Sequence, residues 1–195
     1  MSKRMMHVIS VQFLLVILCG TAHARTADLA LSGESLRVAY KDLFTGVVDK
    51  ELLLGNAMLL YTEEHDESDL LLGASAKLFI DLGLKQDRVI MGAGLGLYLG
   101  DVGDHDVFAL PLALMASYSH RQLPDTTFIA EYELAPKILS GMDAERFSAA
   151  TLKVDQLLDE HISVNAGYRA YRASIEDAND VTIDNAIFIG ISYTY

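Results

Sequence analysis

Apolar residues alternate with a period of two over stretches of about ten residues, and the pattern repeats along nearly the whole chain. It is clearest in the last ten residues, AIFIGISYTY, where Ile187, Ile189, Ile191, Tyr193 and Tyr195 alternate with Phe188, Gly190, Ser192 and Thr194. Successive side chains of a strand point to opposite faces, so such a stretch is a strand with one aliphatic face. Chain ends are usually frayed and polar, and one that stops on its most regular strand needs a structural reason. The alternation recurs in 48–61 (Leu52, Leu54, Asn56, Met58, Leu60), 69–82 (Leu70, Leu72, Ala74, Ala76, Leu78, Ile80, Leu82) and 89–99 (Val89, Met91, Ala93, Leu95, Leu97, Leu99). It continues in 107–118 (Phe108 to Tyr118), 127–135 (Phe128, Ala130, Tyr132, Leu134), 146–155 (Ala150, Leu152, Val154) and 161–172 (Ile162, Val164, Ala166, Tyr168). Helical periodicity is weak, and no transmembrane helix is expected after residue 25. The pattern predicts an all-β, antiparallel up-and-down meander.

The N-terminus predicts export. Met1 to Arg4 is basic, Val8 to Cys19 is an apolar run, and Ala22-His23-Ala24 is a small-residue cleavage pattern. That layout marks residues 1–24 as a signal peptide and 25–195 as a single mature domain. Leu18 stands where a lipoprotein signal wants a small residue, so lipidation at Cys19 is not expected. Losing Lys3 and Arg4 moves the net charge from −12 to −14 and leaves no cysteine. Such acidity argues against nucleic acid as a partner, because phosphate binding needs Lys and Arg surfaces. An exported chain without disulfides must draw its stability from one continuous hydrogen-bonded architecture or a good core.

The connections come in two kinds. GLKQDR (83–88), HRQLPDT (120–126) and LLDEH (157–161) are compact. TEEHDESD (62–69), GDVGDHD (100–106), PKILSGMDAE (136–145) and SIEDANDVTID (174–184) are mostly more acidic. Short periplasmic turns and longer external loops are the asymmetry of outer-membrane barrels. Eight strands fall after residue 48. In 28–40, Leu29/Leu31 and Leu36/Val38/Tyr40 are out of phase across Ser32-Gly33-Glu34. Two short strands there would make ten, a non-spanning segment eight, so a transmembrane β-barrel of 8 to 10 strands is expected.

In a lipid-embedded barrel the aliphatic face points outward and the inner face is mixed. The faces opposite those aliphatic rows carry Glu131, Glu133, Lys153, Asp155 and Arg169, joined by Lys77, Ser163, Asn165, Ser192 and Thr194. Gly92, Gly94 and Gly96 leave room for long side chains from across a narrow lumen. Tyr61, Tyr98, Tyr118, Tyr132, Tyr168, Tyr193 and Tyr195 lie mainly near segment ends, where interfacial girdles belong.

The stretch Glu131-Tyr132-x-x-Ala135-Pro136-x-x-Leu139-Ser140, then Asp143-Ala144-x-Arg146-Phe147, then Gly167-Tyr168-Arg169 and the terminal strand resembles the YfaZ family of outer-membrane proteins. The resemblance covers the mature chain from about Asp28 to Tyr195. It implies a small outer-membrane barrel without an established activity. The last strand also resembles the C-terminal signal read by the barrel assembly machinery: Gly190, Tyr193 and Tyr195 match, while Phe188 stands at the usual polar position.

Three constellations invite chemistry. Gly92-Ala-Gly94-Leu-Gly96 lacks the third glycine of a dinucleotide loop, Leu97 standing in its place, and is read as one strand face. His161 and Ser163 share a strand face at i and i+2, a base–nucleophile spacing similar to the His-x-Ser strand of outer-membrane lipid A deacylases. Against that reading, His161 belongs beside a periplasmic turn, whereas lipid A occupies the outer leaflet. Glu131, Glu133, Lys153, Asp155 and Arg169 are read as a lumen salt-bridge network, with an ion path as the alternative. Asp101, Asp104 and Asp106, or Glu176, Asp177 and Asp180, could hold Ca²⁺ or Mg²⁺ at external loops, although no EF-hand spacing appears and solvated acidic loops are the commoner case.

The sequence therefore predicts a small outer-membrane β-barrel of a Gram-negative cell envelope, porin-like in build. The expected role is structural or that of a narrow channel, without catalysis and without a cofactor. Its expected partners are outer-membrane lipids and, during biogenesis, the assembly machinery. A lipid hydrolase built on His161/Ser163 is the runner-up, and a soluble periplasmic lipid-binding barrel is a third class.

Overall fold

The structure, a computed structural model, describes residues 25–45, 52–64, 67–83, 87–103, 105–175 and 180–195. The proposed signal peptide lies outside them. The strands are β1 (Arg25–Leu31), β2 (Ser35–Thr45), β3 (Leu52–Glu64), β4 (Glu67–Asp81), β5 (Asp87–Val102), β6 (His105–Ala109) and β7 (Leu112–His120). They continue as β8 (Thr126–Ala135), β9 (Ser140–Met142), β10 (Ala144–Leu157), β11 (Ile162–Ile175) and β12 (Val181–Thr194). All pairings are antiparallel. The order β4-β3-β2-β1-β12-β11-β10-β8-β7-β5 returns on itself through β4–β5, closing a barrel of ten strands. β6 and β9 extend the wall at one end. Pro111 has no N–H to give the ladder, so β6 and β7 are separated at Leu110-Pro111, and Gly96 donates instead to the Pro111 carbonyl at 2.8 Å. Pro136 follows β8, a single 3₁₀ turn spans Lys137–Leu139, and β9 then pairs with β6.

The ambiguous segment 28–40 is a hairpin. Leu31 pairs with Leu36, and Ser32 Oγ accepts the Ser35 N–H at 3.0 Å, tightening the Ser32-Gly33-Glu34 connection. The two aliphatic sets are out of phase because they belong to different strands of one face. At the opposite end the chain meets itself. Tyr195 N–H donates to Arg25 O at 2.9 Å and Arg25 N–H to Tyr195 O at 3.2 Å. We call this the terminus end, and the end bearing β6 and β9 the loop end. β5 and β6 pair as far as Val102 with His105, and Gly103, at φ +54°, donates its N–H to Asp69 Oδ1 at 2.9 Å.

The faces follow the alternation on nearly every strand. Leu95, Leu114, Leu152, Ile187 and Ile189 stand on the outside, 59–77% exposed. Segment 48–61 departs from expectation. Met58 and Leu60 are buried inside the barrel and Leu54 and Asn56 line its cavity, so the row expected to face outward faces the lumen. The reason is that LLLGNAMLL is apolar on both faces, so alternation cannot say which is which. Tyr98 also departs from the girdle. It sits between outward Leu97 and Leu99, is 5% exposed, and lies in the lumen. The remaining girdle candidates, Tyr61, Tyr118, Tyr132, Tyr168, Tyr193 and Tyr195, are on the outer surface.

The β4–β5 seam depends on absent side chains. A Cβ on Gly94 would lie 2.0 Å from the Ala76 carbonyl oxygen and 2.7 Å from Lys77 Cα. The Phe79 ring already fills the space a Cβ on Gly92 would take, 2.6 Å away. Gly94→Val is therefore expected to cost on the order of 1–3 kcal/mol and to loosen closure. Heat-modifiable gel migration measures this: the compact band should disappear at a lower temperature than in the wild type, and an unchanged transition would count against the seam.

Candidate functional site

The lumen divides into two halves of opposite character. Toward the loop end it is filled by Met58, Leu60, Leu71, Val102, Val107, Phe147, Tyr171, Ile175 and Ile183. Tyr98 packs on Phe147 with ring centroids 4.7 Å apart, and on Tyr171 at 6.4 Å. Gly73 permits this, because a Cβ there would come within 2.7 Å of the Tyr98 ring. Toward the terminus end lies a cavity of about 290 Å³ that reaches from Tyr98, Tyr171 and Phe188 to Thr26, Asp155, Ser163 and Thr194. It holds most of the lumen charge, and the group of Arg169 with Asp184 runs from it toward the loop end.

The charges fall into four groups, each set by strand register. Lys77 on β4 bonds Glu131 and, at 3.0 Å, Glu133, both on β8. It reaches two strands across because Gly94 and Ala113 stand between them. Tyr98 Oη donates to the other Glu133 oxygen at 2.5 Å. On neighbouring strands β1 and β2, Asp28 accepts from Arg37 at 3.1 Å, with Lys41 Nζ at 3.7 Å. Ser192 Oγ donates to Asp28 at 2.8 Å and accepts from Asn165 at 3.2 Å, joining β12 and β11 to the group. Lys153 pairs with Asp155 at 3.2 Å. Arg169 pairs with Asp184, donates to Ser35 Oγ at 2.8 Å, and lies 5.1 Å over the Phe188 ring. Arg169 is 1% exposed, so its pairing is what makes the charge tolerable there.

Glu131, Glu133, Lys153, Asp155 and Arg169 all stand in the lumen, but in three separate groups. Asp28, Arg37, Lys41 and Asp184 complete the charges and were not singled out from the sequence. The first three alternate inward along the hairpin whose strand count was open. Asp184 falls in what reads as a loop but begins the regular run Asp184-Ala186-Phe188. His161 sits in the turn before β11, exposed, with Nδ1 3.0 Å from the Thr194 carbonyl oxygen, while Ser163 lines the cavity. Gly190 is a close approach, since a Cβ would lie 2.6 Å from both Asn165 Oδ1 and the Leu29 carbonyl oxygen. Tyr193 and Tyr195 stack on the outer surface with centroids 6.1 Å apart. Asp104, Glu176 and Asp177 lie outside the described residues. Among the described residues no three His, Cys, Asp or Glu side chains gather where a metal ion could be held.

Two predictions follow from these contacts. Lys77→Met leaves Glu131 and buried Glu133 without their cation and should destabilise the barrel by about 3–5 kcal/mol, with Glu131→Gln/Glu133→Gln in the same chain recovering most of the loss. Urea unfolding followed by gel migration reads both. A single variant as stable as the wild type would remove the role given to Lys77. At the terminus end, Asp159 Oδ1 accepts the His161 and Ile162 N–H groups at 2.8 and 2.7 Å, which holds its carboxyl below the ordinary 3.8. A lowered folded value stabilises the turn above 3.8 and is lost only as pH falls through the folded value. The Asp159 carboxyl carbon shift should titrate below 3.8, and a midpoint at or above it would contradict the cap.

No family model and no curated protein matches this chain. Among solved structures, one similar chain comes from work on the mechanism behind the in-meso crystallization of membrane proteins. It is 14% identical with a TM-score of 0.44, over 89% of this chain and 83% of that one. Another is the outer membrane channel DcaP of Acinetobacter baumannii, 10% identical with a TM-score of 0.43 over 90% of this chain. The chain spans 60% of the DcaP chain's length. Both likenesses are loose, and the function is read from this barrel's own geometry.

Proposed function

We propose that this protein is a sealed outer-membrane β-barrel with a structural role and no catalytic one. The observation that supports the reading is a closed barrel whose mid-barrel exterior is aliphatic, whose buried charges are inside, and whose loop-end lumen is a packed apolar core. A soluble barrel would place Leu95, Leu114 and Ile187 in water at large cost, whereas hydrocarbon accommodates them. With both termini and the compact turns at one end, that end faces the periplasm and the β6/β9 end faces the exterior. Strands of 13 to 16 residues, such as β3 and β5, exceed the roughly ten needed to cross. The motif run from Glu131 through Arg169 supports a place among YfaZ-like outer-membrane proteins. Gly190, Tyr193 and Tyr195 on the closing strand support recognition by the assembly machinery.

A channel would need the Tyr98–Phe147–Tyr171 cluster to part, because the polar groups that run past it, Arg169, Asp184 and Ser35, are buried and bonded to one another. Hydrolysis on His161 and Ser163 is not proposed, since His161 is exposed in the turn before β11 while Ser163 lines the lumen cavity.

Cell fractionation should recover the protein only with detergent, in the outer membrane; release by osmotic shock would overturn the placement. In planar bilayers the wild type is expected to be silent, and Phe147→Ala/Tyr171→Ala, which removes two rings of the plug, to give discrete conductance steps. Wild-type conductance comparable to the variant's would overturn the seal.

A further inference from the structure

The lumen charges do not balance group by group. Asp28 takes both Arg37, at 3.1 Å, and Lys41, at 3.7 Å, while Lys153 is matched by Asp155 alone. Among the described residues, three cations of this group therefore face two carboxylates. The balancing anion stands with Lys77, which faces both Glu131 and Glu133. Among the described residues the lumen ion pairs sum to zero, with a local cation excess about Lys41. Lys41 is the cation left short, because 3.7 Å lies beyond a hydrogen bond and Arg37 holds the same carboxylate more closely. Its side chain is 24% exposed, enough to meet the cavity, and Thr26 and Thr194 line the same stretch, their hydroxyls bonded to each other at 3.0 Å so that one O–H remains to donate. A poorly compensated ammonium in a confined space favours an anion beside it, and ammonium with hydroxyl donors is the chemistry that holds an oxyanion.

We propose that the terminus-end cavity binds a small oxyanion of the carboxylate or phosphate class, with Lys41 as its principal partner and Lys153 beside it. At about 290 Å³ the cavity has room for such an ion together with several waters. Entry is from the terminus end, since the apolar core closes the other. The inference rests on this lumen geometry and goes beyond the sealed-barrel reading. Conductance through the wild type would overturn the seal and leave the binding measurement readable.

The test uses the mature barrel in a non-ionic maltoside micelle, its folding verified by heat-modifiable migration. Inorganic phosphate is titrated and followed by phosphorus-31 line broadening. Saturable broadening reversed by acetate is expected. Lys41→Gln should weaken it by about tenfold, the loss of one charge-assisted hydrogen bond, and Lys153→Gln should weaken it less. Lys137→Gln, an exposed lysine in the 3₁₀ turn outside the lumen, should leave it unchanged. Absence of saturable broadening would overturn the proposal. Binding that survives both Lys41→Gln and Lys153→Gln, or that falls equally with Lys137→Gln, would reduce it to surface adsorption and overturn it as well. Should Lys41→Gln fail to give the compact band, Lys153→Gln and the charge-retaining Lys41→Arg, expected to keep binding, decide the matter.

Discussion

Closure of the backbone hydrogen-bond network is the constraint on which the rest of this structure depends. In the membrane setting proposed for it, an unpaired N–H or C=O costs several kcal/mol, and no water stands ready to satisfy it. The sheet must therefore have no free edge. β4–β5 and β1–β12 are the pairings that deny it one, the second joining the first strand to the last. The reciprocal bonds between Arg25 and Tyr195 carry pairing to the final residue. That is the structural reason for a chain that stops on its most regular strand: Tyr195 is ordered because it is half of the closing seam.

Closure at ten strands leaves a narrow interior, and glycine decides what can lie in it. Gly73 admits the Tyr98 ring, Gly92 the Phe79 ring, and Gly94 the near approach of the β4 backbone. The three glycines of 92–96, which at first sight suggest a phosphate loop, are packing positions on one strand face. Their consequence is electrostatic as much as steric. With no side chain at Gly94 and only a methyl at Ala113, Lys77 reaches Glu131 and Glu133 and ties β4 to β8 across the wall.

Much of this was legible in the sequence. Eight strands and the outward rows of seven of them follow from alternation, and the inward charges on β8, β10 and β11 follow from the opposite parity. The hairpin of β1 and β2 was ambiguous because a three-residue connection and a bulge produce the same phase change, and only the pairing of Leu31 with Leu36 separates them. Asp28, Arg37 and Lys41 were hidden with it. The inverted β3 was not legible: where both faces are apolar, period two gives strands without sides. Tyr98 was legible by parity, since Leu97 and Leu99 point outward, but aromatic position near a strand end suggested an interface instead. The partition of the charges into groups was not legible either, because partners such as Arg169 and Asp184 are set by cross-strand register.

β3 also shows why the lumen carries charge at all. Its apolar faces would pack tolerably either way round, so nothing within that strand fixes which side meets lipid. Its neighbours fix it. A one-residue slip of β2 would turn Arg37 and Lys41 into hydrocarbon, and a slip of β4 would do the same to Lys77, at about 2–4 kcal/mol for each cation near the bilayer midplane. Replacing these ion pairs by hydrophobic side chains of equal volume would cost little in packing energy, as buried pairs often contribute little net stability. It would, however, remove the term that distinguishes inside from outside. The loop-end core can be apolar because β3 enters it in a register already set by the charged neighbours on either side. In this barrel the ion pairs select the register, and the apolar core then fills the space that register defines.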